Sequence, residues 1–289
     1  MIKNPISDKW YADPEARYYN GKYYIYVTQS FSEFDKQKNI DLMVSEDLKH
    51  WENKTNIVDM SGFPWIRRAV WAPTVIEKND KYYMIFASND IHSDFEGGGL
   101  ELAVSDTPEG PFRAVLKSSL VGQIINGAQP IDAHLFKDDD KSVYLYYGGW
   151  GHCNAAVMSD DMRGFKPFEN GDLFRQITPN GYVEGPCMLK QDGLYYFMWS
   201  SGNWTNESYG VRYGISSNPF GPFKEKGVIL QSDSEIANGP GHNGYIAENG
   251  KSLIVYHRRP LAAREAGCRV LCIDKLSVHK GIIDPVKMT

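Results

Sequence analysis

Three carboxylic acids stand where strand-like runs begin: Asp13 in "ADPEARYY", Asp132 in "IDAHLFKD" and Glu184 in "VEGPCMLK". A chain filling its interior for stability alone would place small or apolar residues there, because clustered carboxylates repel one another and lose hydration on burial. Across a pocket, such acids are the equipment of glycoside hydrolysis. A carboxyl of raised pKa protonates the departing oxygen, while a carboxylate activates water or attacks the anomeric carbon. A third acid holds the first one's proton by like-charge repulsion and orients it. The same three could ligate calcium, which takes several oxygens, or serve structure alone; catalysis is the reading carried forward.

Acids this far apart in the chain meet only if repeated elements bring them to one place. Five strand-like runs, each after a Gly, Asn or Asp turn, provide the repeat: "GKYYIYVTQS", "DKYYMIFASND", "KSVYLYYGGW", "DGLYYFMWSSG" and "GKSLIVYHRR". Each is followed by an alternating segment, several of which end in Ser-Asp or Ser-Asn turns with "GPF" recurring. Each is preceded by a segment of common shape: "ADPEARYY", "WAPTVIEK", "IDAHLFKD", "VEGPCMLK" and "GHNGYIAE". Matching Asp13, Ala72, Asp132, Glu184 and His242 gives a period of roughly 50 to 60 residues, that of a propeller blade with insertions. With no convincing amphipathic helix, the reading is all-β: a five-bladed β-propeller, one domain over residues 1–289. The first strand of every blade lines the central channel, so residues near its start converge on the axis.

Charge and composition narrow the function. A net charge of −5 and a pI near 5.8 argue against nucleic acid or an anionic membrane as the partner. The start, "MIKNPISDKW", lacks the apolar stretch of a signal peptide, and no run approaches the roughly 18 apolar residues that cross a bilayer. A soluble protein is expected, cytoplasmic or exported with its signal removed. Cys153, Cys187, Cys268 and Cys272 form no zinc-type pairs and are expected as free thiols. The aromatic content, 13%, suits sheet packing and also sugar rings, whose apolar faces stack on aromatics. "EGGGL" at 96–100 lacks the strand-to-helix context of a phosphate cradle.

In this order and at these blade positions, "ADPEA", "WAP", "IDAHLF", "EGP" and "GHN" resemble glycoside hydrolase family 43 over almost the whole chain. The resemblance implies a five-bladed propeller and hydrolysis with inversion, needing no cofactor. It implies Asp13 as general base, Asp132 as the acid that modulates pKa and orients, and Glu184 as general acid. "IDA" stands where many members have "IDP", and "EGPC" carries a cysteine beyond the acid; neither change removes a functional group. His242 is expected near the axis, beside a hydrated structural calcium or other ion. Arg269 is expected to reach the innermost sugar, with Arg258 as competitor, since a planar guanidinium binds two hydroxyls.

Trp71 is the leading stacking platform, followed by Trp150 and Trp10, with Asn89 and Asp90 on the rim. Glu15 reads as a local ion-pair partner, and Asp138, Asp139 and Asp140 as a solvated hairpin tip. The expected substrate is a plant polysaccharide fragment losing α-L-arabinofuranosyl or β-D-xylosyl units. Alternatives are an endo-acting arabinanase or xylanase, a galactan-active member, and a retaining fructosidase-like propeller, whose early motif would resemble Asn-Asp-Pro-Asn. From another class comes a non-catalytic carbohydrate-binding propeller.

Overall fold

The computed structural model describes residues 2–248 and 250–289. Five antiparallel sheets follow one another along the chain. Blade 1 comprises β1 (Tyr11–Tyr19), β2 (Lys22–Gln29), β3 (Ile40–Ser45) and β4 (Glu52–Lys54). Blade 2 comprises β5 (Trp71–Lys78), β6 (Lys81–Ser88), β7 (Gly99–Ser105) and β8 (Arg113–Ala114). In blade 3, β9 (His134–Lys137), β10 (Val143–Tyr147) and β11 (Asn154–Met158) precede two short strands, β12 (Phe165–Lys166) and β13 (Arg175–Gln176), which both pair with β11. Blade 4 comprises β14 (Glu184–Gln191), β15 (Leu194–Ser201), β16 (Gly210–Ser216) and β17 (Lys224–Leu230). Blade 5 has β18 (Ala237–Glu248), β19 (Lys251–Pro260) and β20 (Val270–Lys275), and a hairpin of β21 (Val278–His279) and β22 (Ile282–Ile283) follows. This is the five-bladed propeller that the repeat predicts.

The second strand of each blade reads as a continuous apolar run because both of its faces are covered. In β2, Tyr23, Ile25 and Val27 pack into the seam with blade 5, while Tyr24 and Tyr26 pack into the seam with blade 2. In β15, Tyr195, Phe197 and Trp199 face blade 3, and Tyr196 and Met198 face blade 5. Strand periodicity thus deals alternate residues to alternate seams, and five apolar clusters fill the five seams. The hairpins joining first and second strands use turn residues that tolerate positive φ: Asn20-Gly21 at 50° and 84°, and Asp192-Gly193 at 52° and 74°.

The ring closes at its two ends. The N-terminal segment runs along the edge of β20, where the Ile6 amide donates to the Leu271 carbonyl (3.0 Å) and the Ile273 amide to Asn4 Oδ1 (2.9 Å). Nearer the axis, inner-strand amides reach acceptors on the preceding blade: Ala72 to Thr28 Oγ1 (2.8 Å), His242 to Ser200 Oγ (2.9 Å) and Asp13 to His257 Nδ1 (3.2 Å).

The acidic run at 138–140 corrects the sequence reading. Asp139 and Asp140 are exposed, but Asp138 is buried and bound by Lys190 (2.5 Å) and the Tyr195 hydroxyl. It ties blade 3 to blade 4 instead of forming a solvated tip. The four cysteines are unpaired, and no helix among the described residues is long and apolar enough to cross a membrane.

Candidate active site

Four of the five inner strands begin with the same irregularity. In blade 1 the ladder pairs Ala12 with Thr28 and resumes with Glu15 opposite Tyr26, so Asp13 and Pro14 bulge. The same interruption follows the pairs Trp71–Ala87, Glu184–Ser200 and Gly241–His257. The first bulged residue is left-handed each time, with φ of 51° at Asp13, 45° at Ala72, 61° at Gly185 and 44° at His242; Asp132, just ahead of β9, has 56°. A bulge of this kind bends the strand and re-aims a side chain, which is why bulges gather beside functional sites.

This register corrects one expectation. Glu184 is not the blade-4 counterpart of Asp13; Gly185 is, and Glu184 stands one residue earlier, where blades 1, 2 and 5 carry Ala12, Trp71 and Gly241. Asp13, Asp132 and His242 therefore leave the backbone at the left-handed residue, and Glu184 and Trp71 leave from the residue before it.

The side chains so aimed line one cavity of about 460 Å³ at the end of the axis where the inner strands begin. Asp13, Asp132, Glu184, His242 and Arg269 form its polar part. Asp13 Oδ1 lies 3.2 Å from Arg269 Nη1 and 3.5 Å from His242 Nδ1, and the same Nδ1 is 3.5 Å from Asp132 Oδ2. One imidazole thus stands between two carboxyls. Arg269 is braced by Nε donating to Ser30 Oγ (3.0 Å). Asp132 Oδ2 also accepts from the Gly185 amide (3.1 Å), so the backbone beside Glu184 is fixed by its neighbouring acid. Glu184 Oε1 accepts from the Tyr209 hydroxyl at 2.8 Å.

These contacts separate the acids by proton affinity. Burial opposes ionisation of Asp13, but the Arg269 guanidinium beside it outweighs burial and holds the carboxyl well below the usual range. Burial raises Asp132, and the nearby charges of Glu184 and Asp13 raise it further. Glu184 is raised chiefly by burial, with Tyr209 working against the shift and Asp13 adding to it. Two carboxyls of one site are thus pushed in opposite directions, Asp13 toward the ionised form and Glu184 toward the protonated one. Burial lowers both imidazoles, His257 to about 4, so both are neutral near pH 7.

Trp71 and Trp150 line the cavity as the sequence suggests, and so does Asp90, held by Gln129 Nε2 (2.9 Å). Trp71 meets Phe34 edge to face at 4.8 Å. Three other candidates lie elsewhere. Arg258 is buried between strands, where its charge acts on Cys272 and Asp274, and it does not line the cavity. Trp10 is largely exposed outside it, and Asn89 is spent bonding Arg67, Trp65 and Gly97 of its own loop region. Glu15 pairs with Arg17 and faces His134 Nδ1 at 3.5 Å, the ion-pair role expected of it.

No three His, Cys, Asp or Glu side chains among the described residues are arranged to hold an ion.

Sequence reasoning missed Phe34, His92, Gln129 and Trp204 in the wall, and Tyr209 and His257 behind it. Trp204 sits under the Arg269 guanidinium at 5.3 Å. A lone tryptophan in the polar loop "SSGNWTNES" was the one available signal, because an apolar ring there has no seam to fill.

The family model "Glycosyl hydrolases family 43" matches residues 2–283. A β-D-galactofuranosidase of Aspergillus niger is 40% identical, the match covering 99% of this chain and 85% of the relative. A β-xylosidase of Xylanibacter ruminicola is 28% identical over 85% of this chain and 86% of its own. Among solved structures, an α-L-arabinofuranosidase from Clostridium thermocellum superposes with a TM-score of 0.78 at 26% identity, covering 98% of this chain and 95% of that one.

Proposed function

The chain belongs to glycosyl hydrolases family 43, and from that premise we propose that it cleaves terminal furanosyl or xylosyl units from polysaccharide fragments with inversion. Asp13 is the general base, Glu184 the general acid, and Asp132 the residue that keeps the Glu184 proton in place. One observation supports this reading: a single cavity sets Asp13 against the Arg269 guanidinium and, across from it, Glu184, whose proton affinity burial and the Asp13 charge raise. Acid and base roles follow from such a split.

In the reaction, Asp13 takes a proton from a water that attacks the anomeric carbon, while Glu184 gives its proton to the departing oxygen on the other side. The water is at once deprotonated and delivered, and the leaving group departs neutral. His242 presents one ring nitrogen, Nδ1, to both carboxyls at 3.5 Å, and in its neutral form can bond one of them at a time. Trp71, braced by Phe34, offers an apolar ring for the sugar face, and Arg269 lies within reach of sugar hydroxyls beside the base.

Three sugars fit the names of the relatives: α-L-arabinofuranosyl, β-D-xylosyl and β-D-galactofuranosyl. The two furanosyl rings share configuration at C2, C3 and C4 and differ in the chain on C4, so one pocket can accept both. Turnover of the three 4-nitrophenyl glycosides ranks them. The acid role is tested by Glu184→Gln. Substrates with poor leaving groups should lose about 10²- to 10⁴-fold in kcat/KM, while 4-nitrophenyl substrates, which need little protonation, should be largely spared. Equal loss on both would overturn the assignment.

A further inference from the structure

Glu184 must do more than hold a proton; it must hold it on the oxygen that faces the leaving group. A neutral carboxyl has one carbonyl-type oxygen and one hydroxyl oxygen, and a fixed external donor decides which is which. The Tyr209 hydroxyl is such a donor, 2.8 Å from Glu184 Oε1. Tyr209 is fully buried, and burial with the adjoining Glu184 and Asp132 charges raises its own pKa well above the ordinary value, so it stays a donor throughout the working range.

Its place in the fold is also reserved. A Cβ built on Gly241 would lie 2.1 Å from the Tyr209 ring. Gly241 occupies the blade-5 position that carries Glu184 in blade 4 and Trp71 in blade 2. Blade 5 thus gives up its own inward side chain, and a tyrosine from blade 4 fills the space. The same ring lies parallel to that of His257, with centroids 5.9 Å apart and planes at 5°. His257 Nδ1 in turn accepts from the Asp13 amide. A continuous buried path therefore joins the acid to the base: Glu184 to Tyr209, Tyr209 to His257, His257 to Asp13.

We propose that Tyr209 is a positioning residue for the reaction: by donating to Glu184 Oε1 it places the acidic proton on Oε2 and keeps Glu184 acidic enough to release it. This rests on the reading of Glu184 as general acid. The other ionisable groups facing Glu184 are Asp13, Asp132, Arg269 and Tyr182, and none of these is placed as a donor to Oε1.

The test is Tyr209→Phe, assayed on paired 4-nitrophenyl and phenyl glycosides of the sugar that the enzyme turns over, with full pH profiles. Removing a donor that favours the carboxylate must raise the proton affinity of Glu184. The expected result is an alkaline limb moved to higher pH and a loss of about 10- to 100-fold confined to the phenyl glycoside, since a misplaced general acid forfeits part of a 10²- to 10⁴-fold effect. Gly241→Ala, which keeps the hydroxyl but displaces the ring, should show the same leaving-group selectivity and serves if the phenylalanine variant does not fold. Equal losses on both substrates with an unmoved alkaline limb would overturn the proposal and leave Tyr209 a packing residue. Failure of the acid assignment itself looks different: Glu184→Gln would then lack leaving-group selectivity as well.

Discussion

Asp13 and Glu184 carry the same functional group, and their neighbours push its proton affinity in opposite directions. Asp13 meets a guanidinium and two imidazoles, whereas Glu184 meets acids and a phenol. The proposed mechanism makes Asp132 the tuning element, because two neighbouring carboxyls in one site resist ionising together. Replacing Asp132 by Asn removes that repulsion, so Glu184 loses its proton at lower pH. The alkaline limb of kcat/KM should move down in pH, opposite in sign to Tyr209→Phe, while the acid limb, set by Asp13, stays; an unmoved alkaline limb would remove Asp132 from this role. At this scale the three acids were legible in the sequence because charge at the start of an apolar run needs a reason. Tyr209 and His257 were not, since Tyr and His are ordinary within strands and only their partners across blades mark them. Arg258 and Arg269 stood on an equal footing in sequence, and the fold separates them: Arg258 lies between strands and Arg269 at the axis.

The element that matters is the left-handed residue at the head of the inner strands. It turns Asp13, Asp132 and His242 inward through left-handed backbone, at a cost of about 1–3 kcal/mol for each such non-glycine residue. Hydrogen bonds to the neighbouring blade hold the strained amides, the Ala72 amide donating to Thr28 Oγ1 among them. Thr28→Val keeps the shape but leaves that buried amide without its acceptor, which costs about 1–3 kcal/mol. Thermal unfolding should register the loss with activity little changed, and an unaltered Tm would show that the contact is not a tie. The repeat predicted the strands, but a one-residue bulge is invisible to a period of two. That is why Glu184 was matched to Asp13 when its true counterparts are Ala12 and Trp71.

Across the whole molecule, five similar sheets and five apolar seams convert distance along the chain into position around an axis. This level was the most legible, because a fivefold repeat of aromatic second strands has few other solutions. The walls of the pocket were least so: Phe34, His92 and Trp204 come from loops between strands, whose paths follow no period. The positions of Asp13 and Glu184, on the inner strands of blades 1 and 4 in a ring of five, set the gap between the two carboxyls, and the proposed inversion requires a gap of roughly 6.5–9.5 Å. The direct test follows the anomer released from a turned-over furanoside by proton NMR, in the wild type and in Asp13→Ala. Inversion by a water held at Asp13 predicts that the first sugar seen has the configuration opposite to the substrate, and that its release falls by about 10²- to 10⁴-fold in the variant. Product of retained configuration, or an Asp13→Ala enzyme as fast as wild type, would contradict it.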